Sequence, residues 1–262
     1  MSLAEVFKQA KGEDRAALIG YLPAGYPTVD GSKDLLSGMI ESGVDLVEVG
    51  VPYSDPVMDG PTIQAAAVEA LKNGFRLKHL FEVVEAVAAR GGKAVVMTYW
   101  NPVYKYGVDR FARDLAAAGG LGIITPDLTP DEAGDWMSAS DAHGLDRIFL
   151  VAPSSSEERI DATVKASSGF VYATAVMGVT GAREVVGSGA RDLVRRTREH
   201  TGLPIGVGLG VRSGAQAAEV ASFADAVIVG SALVTAAGQG LDAVQSLSAE
   251  LASGVRKTVA PA

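Results

Sequence analysis

The chain has 262 residues, a formal net charge of -8, 48% hydrophobic residues and no cysteine. An acidic balance without a basic stripe argues against a nucleic-acid binder, and the lack of cysteine removes disulfides, thiolate nucleophiles and zinc–thiolate sites. No apolar run reaches membrane-spanning length, and the first twenty residues mix acids and bases instead of forming the apolar core of a secretory signal. The expectation is a cytoplasmic protein with neither nucleic acid nor membrane as partner.

Residues 2–11 read as a short amphipathic helix with Leu3, Val6 and Phe7 on one face. Ala17–Leu22 is a strand, ended by Pro23, Gly25 and Pro27. Asp30 can cap a helix carrying Leu35, Leu36, Met39 and Ile40, closed by Gly43. Asp45–Gly50 is the next strand. Two helical pieces follow, 62–73 and 77–90, split at Asn73-Gly74, and then strand 94–99 and a polar, aromatic loop with Asn101, Pro102 and Tyr104. The alternation continues with helix 108–118, strand 122–127, helix 130–142, strand 147–152, helix 156–167 and strand 169–174. A glycine-rich loop, helix 191–201, strand 204–209, helix 213–221, strand 226–230 and helix 232–252 complete it.

These are eight strand–helix units, and several strands are apolar on both faces, as in a parallel sheet covered by helices. With no linker in sight, the reading is one (β/α)8 TIM barrel domain over residues 1–262, with an extra N-terminal helix and an extra helix between strands two and three. In such barrels the loops at the C-terminal ends of the strands carry the chemistry.

The most informative stretch is VEVGVPYSDPVMDGPTIQ, from Val47 to Gln64. Glu48 is a carboxylate among β-formers, costly to bury without a partner or a task. Asp55 and Asp59 lie in the turn-rich loop that follows. Singly, Glu48 suits a satisfied core acid and the two aspartates suit turns or caps. Together, Glu48 and Asp59 at the mouth of one strand read as an acid–base pair.

GVGLGVRSG (206–214) is not a dinucleotide fingerprint, because the third glycine of G-x-G-x-x-G is missing and the segment belongs to the seventh unit. IVGSALV (228–234) repeats the strand–glycine–helix form. Backbone N–H groups at such turns can hold a phosphate without a cationic side chain, in the loops where barrels commonly bind it. Gly181 would close this cradle from strand six; tight packing alone is the competing explanation for these glycines. His79, His143 and His200 fall in or at the end of predicted helices, and no cluster of metal ligands is apparent. A Schiff-base mechanism needs a lysine in the mouth. Lys93 precedes its strand and Lys165 lies in a helix, while Lys105, in a loop beyond its strand, is the weakest exclusion. What remains is carboxylate acid–base chemistry on a phosphorylated substrate.

The Val47–Gln64 stretch resembles the signature of the tryptophan synthase α subunit. The similarity continues through Asn101-Pro102, Pro126-Asp127, Gly178-Val179-Thr180-Gly181, Gly208-Leu209-Gly210 and Gly230-Ser231, in order over nearly the whole chain. The resemblance implies a (β/α)8 barrel that cleaves indole-3-glycerol phosphate to indole and glyceraldehyde 3-phosphate. It also implies a β subunit in an α2β2 assembly, with pyridoxal phosphate in that partner and no cofactor in this chain. It makes Glu48 the general acid–base and Asp59 the acceptor of the indole N–H. It assigns Thr180, Gly181, Gly210, Gly230 and Ser231 to substrate binding, the glycines and the serine at the phosphate. Tyr172 ends strand six close to Glu48, and Tyr21, where members often have phenylalanine, lines the indole pocket; barrel filling is the plainer role for both. The chain departs from the pattern at Ala175 and Val176, where many members place serine and arginine. It departs also at Gly119-Gly120, where a looser approach to strand four is expected. A stand-alone lyase and a catalytically silent regulatory barrel stay open beside the main reading.

Overall fold

The computed structural model describes residues 2–175, 178–180, 183–185 and 188–256. In chain order its strands are β1 (Ala17–Pro23), β2 (Leu46–Gly50), β3 (Ala94–Met97), β4 (Gly122–Ile124), β5 (Asp146–Ile148), β6 (Leu150–Val151), β7 (Val171–Thr174), β8 (Gly178–Thr180), β9 (Arg183–Val185), β10 (Ile205–Gly208) and β11 (Ala226–Val229). The helices are α1 (Leu3–Gly12), α2 (Val29–Glu41), α3 (Pro61–Lys72), α4 (Leu77–Ala89), α5 (Trp100–Tyr106), α6 (Val108–Ala117), α7 (Gly134–His143), α8 (Glu157–Ala166), α9 (Ser188–Arg198), α10 (Gly214–Ala221), α11 (Ser231–Ala237) and α12 (Leu241–Val255).

The main sheet runs β5-β4-β3-β2-β1-β11-β10-β7-β6, and its registered pairs are parallel. Its two ends, β5 and β6, are consecutive pieces of one extended segment separated by Phe149 alone. The first piece pairs with β4 and the second with β7. Counted as one strand, they close the sheet on itself as the eight-stranded barrel expected from the sequence. β8 and β9 form a separate antiparallel pair.

Period-two alternation sends successive strand residues to opposite sides. Ala17, Ile19, Leu46, Val95, Ile124, Ile148, Phe170, Ala226 and Ile228 pack together inside the barrel with Leu3, Val6, Phe7 and Ala10 of α1. The helix therefore plugs the end where the strands begin, and Phe7 meets Phe170 with ring centroids 5.5 Å apart. One step further along the same inward rows stand Tyr21 and Glu48, directly paired in register. The outward residues of these strands, among them Leu18, Leu22, Val47 and Val49, pack under the surrounding helices.

Several boundaries differ from expectation. The segment after strand three is not a loop but α5, and the fourth strand ends at Ile124 instead of 127. One cause serves both: the chain turns at Thr125–Asp127, and the Asp127 carboxylate accepts the Trp100 N–H at 2.9 and 3.1 Å, satisfying an orphan donor of the helix start. The last helix is two, α11 and α12, broken where Gly240 takes φ 111°. Helix 130–142 begins as a 3-10 turn at Pro130–Glu132. The approach to strand four is tight. Gly119 and Gly120 donate to the carbonyls of Ala116 and Leu115, each at 3.0 Å, and a Cβ on Gly119 would lie 2.7 Å from that of Ala88.

Candidate active site

At the C-terminal ends of the strands a cavity of about 580 Å³ opens between Tyr21, Glu48, Asp59, Tyr172 and Gly230. Its remaining walls include Ile63 of α3, Met97 at the end of β3, Leu150 and Pro153 at the end of the fifth strand, and Gly208. Two strands and one loop thus bring the expected carboxylates and tyrosines to one place.

Glu48 is 1% exposed, and its Oε2 has no hydrogen-bond partner among the described residues. Burial pushes its carboxyl up to about 8, with the negative charge of Asp59 adding to the effect. Desolvation penalises the charged form, so Glu48 carries a proton near neutral pH. Asp59 is half-buried; burial raises its carboxyl too, but a hydrogen bond with the Tyr99 side chain pulls it back. Two carboxyl groups in one cavity with different environments can serve as acid and as anion.

Tyr21 is buried and Tyr172 half-buried, and loss of solvent around both hydroxyls holds them protonated, well above the usual phenol range. Each ring leans along the barrel over a glycine of the adjoining strand. A Cβ on Gly50 would overlap the Tyr21 phenol, and one on Gly208 the phenol of Tyr172. Those two glycines make room for the rings that flank Glu48.

Gly210 follows β10 with φ 86° and open space where a Cβ would be. Gly230 caps the start of α11, and Ser231 is that helix's first residue. Ser231 faces an adjoining hollow with Thr62 and Arg212. None of the described residues lining the main cavity is lysine or arginine. Gly181 and Val176 lie outside the described residues, and Thr180 enters only as backbone, paired with Arg183. Among the described residues no group of three or more His, Asp or Glu is placed to hold a metal ion.

Sequence reasoning missed Tyr99, Met97, Leu150, Pro153, Ile63 and Gly208 as parts of this site. Tyr99 is the important omission. Its hydroxyl accepts the backbone N–H groups of Val57 at 3.2 Å and Met58 at 3.0 Å, anchoring the loop that carries Asp59. Its place at the C-terminal end of a predicted strand was the available signal.

A closed parallel barrel whose mouth holds a buried, protonated carboxyl beside a half-exposed one defines an acid–base enzyme of the (β/α)8 class. More particularly, the chain belongs to the tryptophan synthase α chain family, whose model matches residues 7–260. It is 67% identical to the tryptophan synthase α chain of Nocardia farcinica over 97% of this chain and 96% of that one. Against a structure of Mycobacterium tuberculosis tryptophan synthase the TM-score is 0.93 at 60% identity, covering 97% and 98% of the two chains. A chain from the tryptophan synthase α2β2 complex of Pyrococcus furiosus superposes with a TM-score of 0.86 at 35% identity, covering 91% and 98%.

Proposed function

We propose that this cavity cleaves indole-3-glycerol phosphate to indole and glyceraldehyde 3-phosphate, with Glu48 as acid then base and Asp59 as the counter-charge. Family membership gives the lyase reaction; the assignment to residues rests on Glu48, a buried carboxyl with a free oxygen opposite a second carboxylate. Protonated Glu48 gives its proton to the ring carbon bearing the glycerol chain. The ring becomes an iminium cation, and Asp59 accepts a hydrogen bond from its N–H and offsets the charge. Glu48, now ionised, takes the proton of the adjacent hydroxyl. The carbon–carbon bond breaks, its electrons return to the ring as indole forms, the aldehyde leaves, and Glu48 is again protonated.

The phosphate reaches main-chain N–H groups at Gly210, Gly230 and Ser231, with Thr180 and Gly181 as further substrate-binding residues by the family resemblance. Tyr21 and Tyr172 wall the indole. The chain acts as one barrel domain in the cytoplasm and needs no cofactor of its own; pyridoxal phosphate belongs to the β subunit. The partner is that β subunit, in an α2β2 assembly. On the rim beside the cavity, Val57 is 75% exposed, Met58 50% and Tyr104 64%, apolar surface available to a docking chain. Indole release from indole-3-glycerol phosphate, measured with and without β subunit, tests this reading. No indole in either sample would leave a silent barrel, and equal rates a stand-alone lyase.

A further inference from the structure

Tyr99 is 5% exposed and lies between β3 and α5, forty residues from Asp59 in sequence. A phenol has one O–H donor and two acceptor lone pairs. Val57 N–H at 3.2 Å and Met58 N–H at 3.0 Å occupy the lone pairs, so the proton is left to donate. The side chain that meets it belongs to Asp59, the next residue along the loop. The ring itself is held by Tyr53, with centroids 5.3 Å apart, and the Tyr53 hydroxyl accepts from Asn101 Nδ2 at 3.1 Å.

We propose that Tyr99 is the positioning residue for Asp59: its oxygen fixes the two residues before Asp59, and its O–H is left to meet the Asp59 carboxylate and aim it into the cavity. The proposal rests on the role given to Asp59 above. The groups facing Asp59 are Glu48 from β2, Tyr21 from β1 and Tyr99 itself, while Tyr172 from β7 faces Glu48. Glu48 and Tyr21 bring no positive charge, and among the described residues Tyr99 opposes the effect of burial on Asp59. A two-point tether combined with a hydroxyl turned to the same residue makes one side chain responsible for the place of the carboxylate.

Tyr99→Phe keeps the ring against Tyr53 and removes only the oxygen. Indole release by the full chain with its β subunit is followed from pH 5.5 to 9. Misalignment of this kind costs about 10- to 100-fold in kcat, with KM changing less. The acid limb of kcat should move up by about one pH unit, the scale of one lost hydrogen bond to a carboxylate. Tyr53→Phe, which cuts the link to Asn101 and leaves the Tyr99 hydroxyl, should keep the acid limb in its wild-type place. A Tyr99→Phe enzyme with the wild-type kcat, or with a lowered kcat and an unmoved acid limb, overturns the proposal. Asp59→Asn is measured alongside: if it stays active, the role of Asp59 itself is wrong and the proposal falls with it. If Asp59→Asn is inactive while Tyr99→Phe is normal, only the role of Tyr99 fails.

Discussion

Replacing Glu48 by glutamine should destroy activity and stabilise the fold, and the second effect should depend on pH in a calculable way. The folded carboxyl is raised from 4.5 to about 8, first by burial and then by Asp59. A folded pKa above the unfolded one means stability that is fully present below pH 4.5 and lost as pH rises through about 8. At 1.36 kcal/mol per unit the loss is on the order of 5 kcal/mol. Glutamine has nearly the same shape and cannot ionise, so it escapes that loss. Urea unfolding of both proteins at pH 5.5 and pH 8.5 checks this, because the other ionisable groups are common to the two and largely cancel in the comparison. The variant should gain on the wild type by a few kcal/mol between the two pH values. In the same preparations turnover should fall by at least the roughly 10²–10⁴-fold of a general acid–base group, more because Glu48 serves two steps. A stability gap that does not widen with pH would refute the buried, protonated Glu48. More than about a tenth of wild-type turnover would refute its catalytic role.

Asp59→Asn should lower kcat strongly and raise KM less, since the amide can contact the ring N–H but cannot offset the cation; steady-state kinetics showing a pure KM effect would move Asp59 to binding or capping. The alkaline limb of kcat/KM should lie near 8, because the reaction begins from protonated Glu48, and a profile flat to pH 9 would contradict that. Gly210→Val places a β-branched residue at φ 86° and should weaken competitive inhibition by inorganic phosphate about tenfold, the worth of one charge-assisted hydrogen bond. Arg212→Ala should matter less, and phosphate held principally by arginine in a crystal would reverse the order. Adding β subunit should raise the lyase rate by about 10²-fold through alignment of Asp59, with hydrogen exchange slowed over residues 52–60; equal rates and equal protection would mark a stand-alone enzyme.

The eight units were legible because local composition and global position agree. Runs such as Ala94–Met97 and Ala226–Val229 are apolar on both faces, and glycine and proline punctuate the chain between them. The outline of the site was legible for the same reason: a buried glutamate in a strand is rare enough to need a cause. What could not be read depends on partners distant in sequence. α5 starts where Asp127, 27 residues on, accepts the Trp100 amide. The walls supplied by Leu150, Pro153 and Gly208 follow from barrel closure, which brings the fifth strand against β7. In the sequence the loop 52–60 reads only as a turn-rich segment. Its ties are long-range ones: Tyr99 to Val57 and Met58, and Asn101 to Tyr53, with Gln64 holding the Asp59 carbonyl at 2.8 Å. Ser54 and Asp55 bond to each other at 2.5 Å, leaving that tip as the part of the loop where a partner could add order.

The unusual state of Glu48 is a property of the whole barrel. Alternation along β2 places Leu46 one layer below Glu48 on the same inward face, and α1 seals that layer with Leu3, Val6, Phe7 and Ala10. The floor beneath the carboxyl is therefore dry. To the side, Tyr21 and Tyr172 fill the space that Gly50 and Gly208 leave open, so the surroundings of Glu48 contain ring carbon and two phenols held neutral. Among the described residues no cation offsets the charge, and Asp59 adds one of the same sign. A carboxyl so enclosed holds its proton at neutral pH and surrenders it only to a base or an electron-rich carbon placed against it. Asp59 differs because it hangs from the rim, half-exposed: burial raises its carboxyl, and a hydrogen bond with the Tyr99 side chain pulls it back. Floor and rim, built from opposite ends of the strands, give the two carboxyls the different surroundings that the proposed acid and anion require.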